Sequence, residues 1–403
     1  MKIGVIGTGQ FAGSFIGLWQ RHPDVGDIHV TDLVPERAAE HVERYGIAGA
    51  YDDADALIAS DVDAVAVFTQ RWTHAELVLK ALDAGKHVYS AVPMALQVDE
   101  IEAIVRKVEE TGLVYMMGET SYYNPAVVWA REQNAKRAFG RVFYSEGDYV
   151  HDMDNGFYAA YQFSGGEGWK ATASYPPMLY PTHAVGGVLG ALPTHATSVS
   201  CIGIKDDRGD GVFDADVSLW GNEFSNMTAL FGLADGGTMR TNEFRRVGHP
   251  GRVHESRFRF YGTDGVMEQT STGASWSTRD EIEDIGELFR TYTHGGQAVD
   301  PTVLEGLDPA LRHSFESGLA KVHDTSRLPK EFDGAPNGHE GSHHFLADDF
   351  VRAVTTVTQP PVNAWRAARF TLPGIVAWDS ANADGVRLPV PDFGDGPADP
   401  GWG

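Results

Sequence analysis

The sequence predicts an α/β plus α+β protein: an N-terminal, doubly wound parallel sheet followed by a C-terminal open sheet that is mainly antiparallel. Three observations predict it. Residues 2–118 alternate short β-branched runs with amphipathic helical stretches. A glycine turn follows the first of those runs directly. After Asn124-Pro125 the rhythm changes to long alternating strands with no helices between most of them.

The elements follow in order. Ile3–Ile6 reads as a strand, and Phe11–Gln20 as a helix ended by His22-Pro23. Ile28–Thr31 is a second strand, and Pro35–Arg44 a helix with proline in its first turn. Val62–Phe68 is a continuous apolar run, as a strand buried on both faces requires. His74–Ala84 reads as a helix closed by Gly85, His87–Ser90 as a strand, and Val98–Thr111 as a helix before Gly112 and the run Leu113–Met117. Beyond a helix near Ala126–Ala138, strands are predicted at Arg141–Val150, Thr197–Ile204, Ser225–Leu233, Thr238–Phe244 and Arg257–Tyr261. Residues 273–338 are polar and weakly periodic and read as an insertion or long excursion. Phe345–Val354 and Ala364–Ala381 read as helices able to pack back on the first domain, and the tail from Pro389 as extended. The expected domains are therefore 1–122 and 123–403.

With 403 residues and 42% hydrophobic content the chain can bury a sizeable core. A net charge of −24 repels nucleic acid and anionic lipid at long range, so neither is expected as a partner. The single cysteine, Cys201, allows no internal disulfide and no thiolate metal cluster. It sits in an alternating strand-like run and reads as a small buried residue. The start, Met1 through Ile6, lacks the pattern of a signal peptide, and no apolar run approaches 18 residues. These features point to a cytoplasmic protein.

Gly7-Thr8-Gly9-Gln10-Phe11-Ala12 is a G-x-G-x-x-A sequence between a predicted strand and a predicted helix. Gly7 permits the tight turn, Gly9 lets a diphosphate approach the backbone, and Ala12 allows close helix–strand packing. Asp32 follows the second strand, where a carboxylate accepts from ribose hydroxyls and repels a 2′-phosphate. That favours NAD over NADP. Arg37 lies near enough to complicate the choice, unless it sits on the following helix face.

Gly7–Ala12, Asp32, the strand ending at Thr69, His74 opening a helix and Ala84-Gly85-Lys86-His87-Val88 together resemble the Gfo/Idh/MocA oxidoreductase family. The resemblance covers nearly the whole chain apart from 273–338. It implies NAD, a sugar or inositol substrate, and subunits that associate as a homo-oligomer. Dehydrogenases of that family carry Glu-Lys-Pro after the fifth strand, and the lysine assists proton transfer. Here the sequence is Ala91-Val92-Pro93, and valine cannot exchange a proton.

One branch of the family lacks that lysine too, and the chain is similar to it: the NAD-dependent glycosidases of glycoside hydrolase family 109. Met116-Met117-Gly118-Glu119, Tyr149-Val150-His151-Asp152, Trp169-Lys170, Tyr180-Pro181-Thr182-His183, Asn226-Met227-Thr228 and Gly262-Thr263-Asp264-Gly265 carry the likeness. It implies that Gln10, Phe11, Asp32, Thr69, Arg71, Trp72, His74, Ala91, Val92, Thr120 and Lys170 line the cofactor. It likewise implies that Tyr149, His151, Tyr180, Pro181, Thr182 and His183 line the sugar. Lysine instead of arginine at 170, and a divergent stretch Glu243 through His249, leave the sugar unassigned.

The implied hydrolysis is redox-neutral: oxidation at C3, loss of the C2 proton and the C1 substituent, hydration, then re-reduction. It needs a base near neutral pH and a donor to oxygen. His183 suits the first task and Tyr180 the second, unless His183 is a buried structural histidine or Tyr180 a core aromatic. Arg245 and Arg246 are either strand-edge charges or, if they face a cleft, readers of an anionic sugar. His339-Glu340-Gly341-Ser342-His343 matches the zinc-protease pattern His-Glu-x-x-His. However, Gly341 interrupts it and Ser342 reads as a helix cap, so no metal site is expected.

Overall fold

The structure, a computed structural model, describes residues 1–248, 255–291, 318–398 and 400–402, without the side chains of Gln10 and Asn155. The chain divides into two compact units. The first is Met1–Pro125, Leu288–Ala368 and Phe393–Gly403, and the second is Ala126–Glu287 and Arg369–Asp392.

The first unit holds six parallel strands: β1 (Ile3–Ile6), β2 (Ile28–Thr31), β3 (Gly49–Ala50), β4 (Ala64–Val67), β5 (His87–Ser90) and β6 (Tyr115–Met117). Their order is β3-β2-β1-β4-β5-β6, so the winding reverses beside β1. Ligands of such sheets bind at the carboxyl end of the strands at that switch point. Strands β1 and β4 are buried at every residue, as parallel strands covered on both faces must be. The helices α1 (Gln10–Arg21), α2 (Pro35–Tyr45), α3 (Ala54–Ala59), α4 (His74–Asp83) and α5 (Val98–Thr111) supply the crossovers. Strand β3 and helix α3 are too short to leave a periodic signal, and the sequence reading has neither.

Helix α1 buries Phe15, Ile16, Leu18 and Trp19. Phe15 meets Trp19 at 5.6 Å, Phe68 at 5.4 Å and Tyr89 at 5.3 Å between ring centroids. The helix Ser342–Thr356 covers this cluster: Phe350 lies 5.9 Å from Trp19, whose indole N–H donates to the Ala347 carbonyl at 3.3 Å. Removing an aromatic of this size costs about 3–5 kcal/mol.

The second unit holds nine strands. The first four are β7 (Val142–Val150), β8 (Ala196–Lys205), β9 (Phe224–Leu233) and β10 (Thr238–Phe244). The others are β11 (Ser256–Gly262), β12 (Val266–Gln269), β13 (Ala274–Ser277), β14 (Ile282–Asp284) and β15 (Leu388–Pro389). The order is β14-β13-β12-β11-β7-β10-β9-β8-β15. Every pairing is antiparallel except β7 with β10, which runs parallel from Tyr144↔Thr238 to Val150↔Phe244.

The expected excursion at 273–338 is thus corrected at its start, since β13 and β14 continue the sheet to Asp284. All three residues of β14 are exposed, so no apolar alternation marks it. The stretch 292–317 lies outside the described residues.

Between β7 and β8 the sequence reading has no helix, yet three form: α7 (Phe157–Gly165), α8 (Trp169–Ala173) and α9 (Thr182–Ala191). All ten residues of α9 are buried, which erases the polar stripe by which a surface helix is read. Two glycines let it lie flat on the sheet. A Cβ on Gly147 of β7 would stand 2.4 Å from the Ala184 carbonyl oxygen, and one on Gly187 would stand 2.1 Å from the Phe258 ring. Among the described residues no helix is long and apolar enough to cross a membrane.

Candidate functional site

One candidate region, in the first unit, lies at the end of β1. Gly7 adopts φ +91°, and a Cβ there would stand 2.8 Å from the Phe68 carbonyl oxygen, so only glycine makes the turn unstrained. Gly9 is different. Its backbone is extended, and nothing lies within 4 Å of where its Cβ would be. Open space at that glycine, beside a helix N-terminus that no side chain caps, is what a diphosphate requires. Asp32 is oriented by its own turn: Thr8 donates to Oδ2 from its amide at 2.7 Å and its hydroxyl at 2.9 Å, and the Val34 amide donates to Oδ1 at 2.9 Å. A carboxylate has about four acceptor positions, so capacity for ribose hydroxyls remains. These residues fit a dinucleotide.

The other expected cofactor residues divide between lining and scaffolding. Phe11 is half-buried, edge-on to His339 at 5.5 Å and to His343 at 5.4 Å. Arg71 and Trp72 form a short turn after β4, with Trp72 exposed. Thr69 pairs its hydroxyl with that of Thr73 at 2.7 Å. His74 is fully buried. Its Nδ1 lies 2.7 Å from the Pro93 carbonyl oxygen and its Nε2 lies 3.2 Å from that of Thr69. Burial holds its pKa below the ordinary histidine range. The structure therefore makes His74 a tie between the loops after β4 and β5, and Ala91-Val92 lies on the second of these loops. Val92 and Thr120 are buried. The expected contact from the Gln10 side chain lies outside the described residues.

A second candidate region, in the second unit, is built on β7 and α9. Gly147, at which α9 touches the sheet, and Tyr149 are two residues apart and so share a face of the strand. His183 lies in the first turn of α9, one residue before the Ala184 that meets Gly147, and this brings it to Tyr149 at 4.5 Å between ring centroids. Tyr180 ends a short 3-10 turn, Pro177–Leu179, and lies 5.1 Å from His183 and 6.1 Å from Tyr149. Pro181 is the N-cap residue of α9, and Thr182 is fully buried. The structure thus gathers Tyr149, Tyr180 and His183. Burial first, then the nearby Glu255, holds the Tyr149 phenol well above the ordinary tyrosine range. It stays protonated near neutrality, a hydrogen-bond donor.

His151 extends this cluster from the end of β7. Its ring stacks on Phe157 at 3.7 Å, and Glu255 Oε2 lies 2.8 Å from Nδ1, close enough for an ion pair though outside straight hydrogen-bond alignment. Arg245 lies over the Tyr149 ring at 4.8 Å and donates to Glu243 Oε2 at 3.0 Å. Phe157 and Glu255 are absent from the sequence reading, and Glu243 enters it only as the start of the divergent stretch. Nothing local marks them, because they reach the cluster from three separate stretches of chain.

Two expectations change on contact with the structure. Arg245 and Arg246 are both buried rather than at an exposed strand edge. Arg246 donates to Asp206 and, at 2.9 Å, to both oxygens of Asp210, and meets the Tyr158 hydroxyl at 2.7 Å. Its charge is compensated by two aspartates, which leaves it poorly suited to an anionic sugar. Lys170 donates to the Asp210 carbonyl oxygen at 2.7 Å and lies 5.9 Å from the centre of the Trp169 ring, so its amine fastens α8 to the 206–212 loop of the same unit. In the His-Glu-x-x-His stretch, His339 and Glu340 take φ of +45° and +56°. Glu340 accepts from Asn124, and His339 Nδ1 lies 2.7 Å from His343 Nε2. The helix starts only at Ser342, so the two histidines do not share one helical turn.

Residues 1–119 match the family model described as oxidoreductase family, NAD-binding Rossmann fold. A 4-carboxy-2-hydroxymuconate-6-semialdehyde dehydrogenase from a Sphingobium species is 35% identical over 127 residues, which is 31% of this chain and 40% of that enzyme. A glycosyl hydrolase family 109 protein from Streptomyces niveus is 24% identical over 98% of this chain and 77% of its own length. Among solved structures, levoglucosan dehydrogenase in complex with NADH and levoglucosan is similar, with a TM-score of 0.70 at 17% identity. The likeness covers 97% of this chain and all of the other, and it is one of fold.

Proposed function

We propose, from the premise that this chain belongs to the Gfo/Idh/MocA family of NAD-binding oxidoreductases, that it is a glycoside hydrolase working through transient oxidation of its sugar. The observation that carries the reading is His183 set between two tyrosines, in a chain with valine at 92. NAD, when bound at residues 7–12 and Asp32, supplies a reversible two-electron exchange at a sugar carbinol carbon, C3 in this reading.

The remaining steps fall to side chains. A 3-oxo sugar has an acidic C2 proton, and His183 takes it as a general base. The C1 substituent then leaves, with Tyr180 as proton donor to its oxygen, and water adds at C1 by the reverse proton movements. Protons and electrons balance, so the net change is hydrolysis. Tyr149, held protonated, donates a hydrogen bond to the sugar. With Arg245 paired to Glu243 and Arg246 to Asp206 and Asp210, the cluster offers no spare positive charge among the described residues, so an uncharged glycoside is the better substrate class.

Incubation with a panel of aryl glycosides and NAD tests this. The expected result is aglycone release without lasting NADH and with solvent deuterium entering at C2. NADH accumulating in proportion to sugar would replace the reading with a sugar dehydrogenase. NAD binding with no turnover would replace it with a sugar-sensing regulator. The homo-oligomer expected from the resemblance is checked by light scattering.

A further inference from the structure

We propose that Glu255 is a positioning residue of this site: it fixes His151 with the proton on Nδ1, so that Nε2 is the nitrogen offered to the sugar. The inference rests on the proposed function for its consequence in turnover, but not for its geometry.

Four observations define the pair. Glu255 Oε2 lies 2.8 Å from His151 Nδ1, an ion-pair contact outside straight hydrogen-bond alignment, and no hydrogen bond engages that buried nitrogen. The backbones are joined, since the Val150 amide donates to the Glu255 carbonyl at 2.8 Å and the His151 amide to that of Phe244 at 3.0 Å. The imidazole plane is fixed by stacking on Phe157 at 3.7 Å and an interplanar angle of 29°. The ring also lies 5.7 Å from Tyr149, which touches His183.

A neutral imidazole carries its proton on one nitrogen and a lone pair on the other. A carboxylate beside Nδ1 selects the tautomer with hydrogen there, because the alternative sets a lone pair against a negative charge. Nε2, on the far edge of the ring, is then an acceptor for a sugar hydroxyl. When Nε2 takes a proton, Glu255 balances the imidazolium charge, and the proton returns by the same path. Removing the carboxylate that orients a metal-ligating histidine costs about 10- to 100-fold, and a loss of that order is expected here.

The decisive measurement is the tautomer of His151, read by long-range nitrogen–proton NMR on the full-length protein at neutral pH, in the wild type and in Glu255→Gln. Glutamine keeps the size and removes the charge. The expected result is a defined Nδ1–H form in the wild type and a mixture in Glu255→Gln. On whichever glycoside turns over, kcat should fall 10- to 100-fold with KM and NAD affinity little changed, and Glu255→Asp should recover part of the loss. An Nε2–H tautomer in the wild type, or one unmoved by Glu255→Gln, overturns the proposal. So does full turnover in Glu255→Gln. If that variant does not fold, the wild-type tautomer and the Glu255→Asp kinetics decide. A wild type releasing no aglycone would sink the hydrolase reading alone, since the tautomer is read without substrate.

Discussion

The turn at residues 7–12 and the cluster around His183 solve opposite problems. The turn is made by consecutive residues. Gly7 supplies a left-handed backbone, Gly9 an open face, and Thr8 reaches only to the next strand to seat Asp32. The cluster is made by distant ones. Tyr149 sits on a strand, Tyr180 on a 3-10 turn, His183 on a helix, Arg245 directly after β10 and Glu255 directly before β11. The difference teaches where each can be damaged: the turn by changes at its own glycines, the cluster also by changes at packing positions that touch no ligand.

The largest expected effect separates the two regions by function. His183→Ala should cut turnover about 100-fold or more, the scale of a lost general base, while NAD affinity stays near that of the wild type. A parallel loss of NAD affinity would show that the regions are not separable.

Within the turn, the two glycines should part company. Gly7→Ala faces a positive φ and a carbonyl oxygen at 2.8 Å, so it should cost about 1–3 kcal/mol of stability in denaturant titration. Gly9→Ala meets nothing in the protein, so stability should hold while NAD affinity falls about tenfold. Equal stability losses in both would refute the assignment of Gly9 to the ligand.

Gly147→Ala probes the cluster from behind. The added methyl meets the Ala184 carbonyl oxygen at 2.4 Å and must lift the start of α9, costing about 1–3 kcal/mol. Turnover should fall further than that loss of folded protein explains, because His183 moves with the helix. Unchanged turnover per folded molecule would mean that the close packing does not set the histidine.

At neutral pH the smallest expected effect lies in the core of the first unit. Burial holds His344 down to about 4, against 6.5 for a free histidine. As pH falls, the unfolded chain takes up a proton before the folded one. Its contribution is therefore fully present above pH 6.5 and drains away between about 6.5 and 4. His344→Gln should flatten that slope by about 1.4 kcal/mol per pH unit, with turnover at neutral pH unchanged. An unaltered slope would place the proton uptake elsewhere.

The dinucleotide turn was legible in the sequence almost residue by residue. A glycine that needs positive φ, one that needs empty space and an acid one strand away are local requirements, and a local string can display them. Of the cluster around His183, the string displayed the chemistry-bearing residues Tyr149, His151, Tyr180 and His183, but not their company. Helix α9 was invisible because complete burial removes amphipathic periodicity. Strand β14 was invisible because complete exposure removes it too. The arginines at 245 and 246 read alike as neighbours in sequence. Only the tertiary structure gave one to an aromatic face with Glu243 and the other to Asp206 and Asp210, because long-range packing alone decides which charges share a buried space.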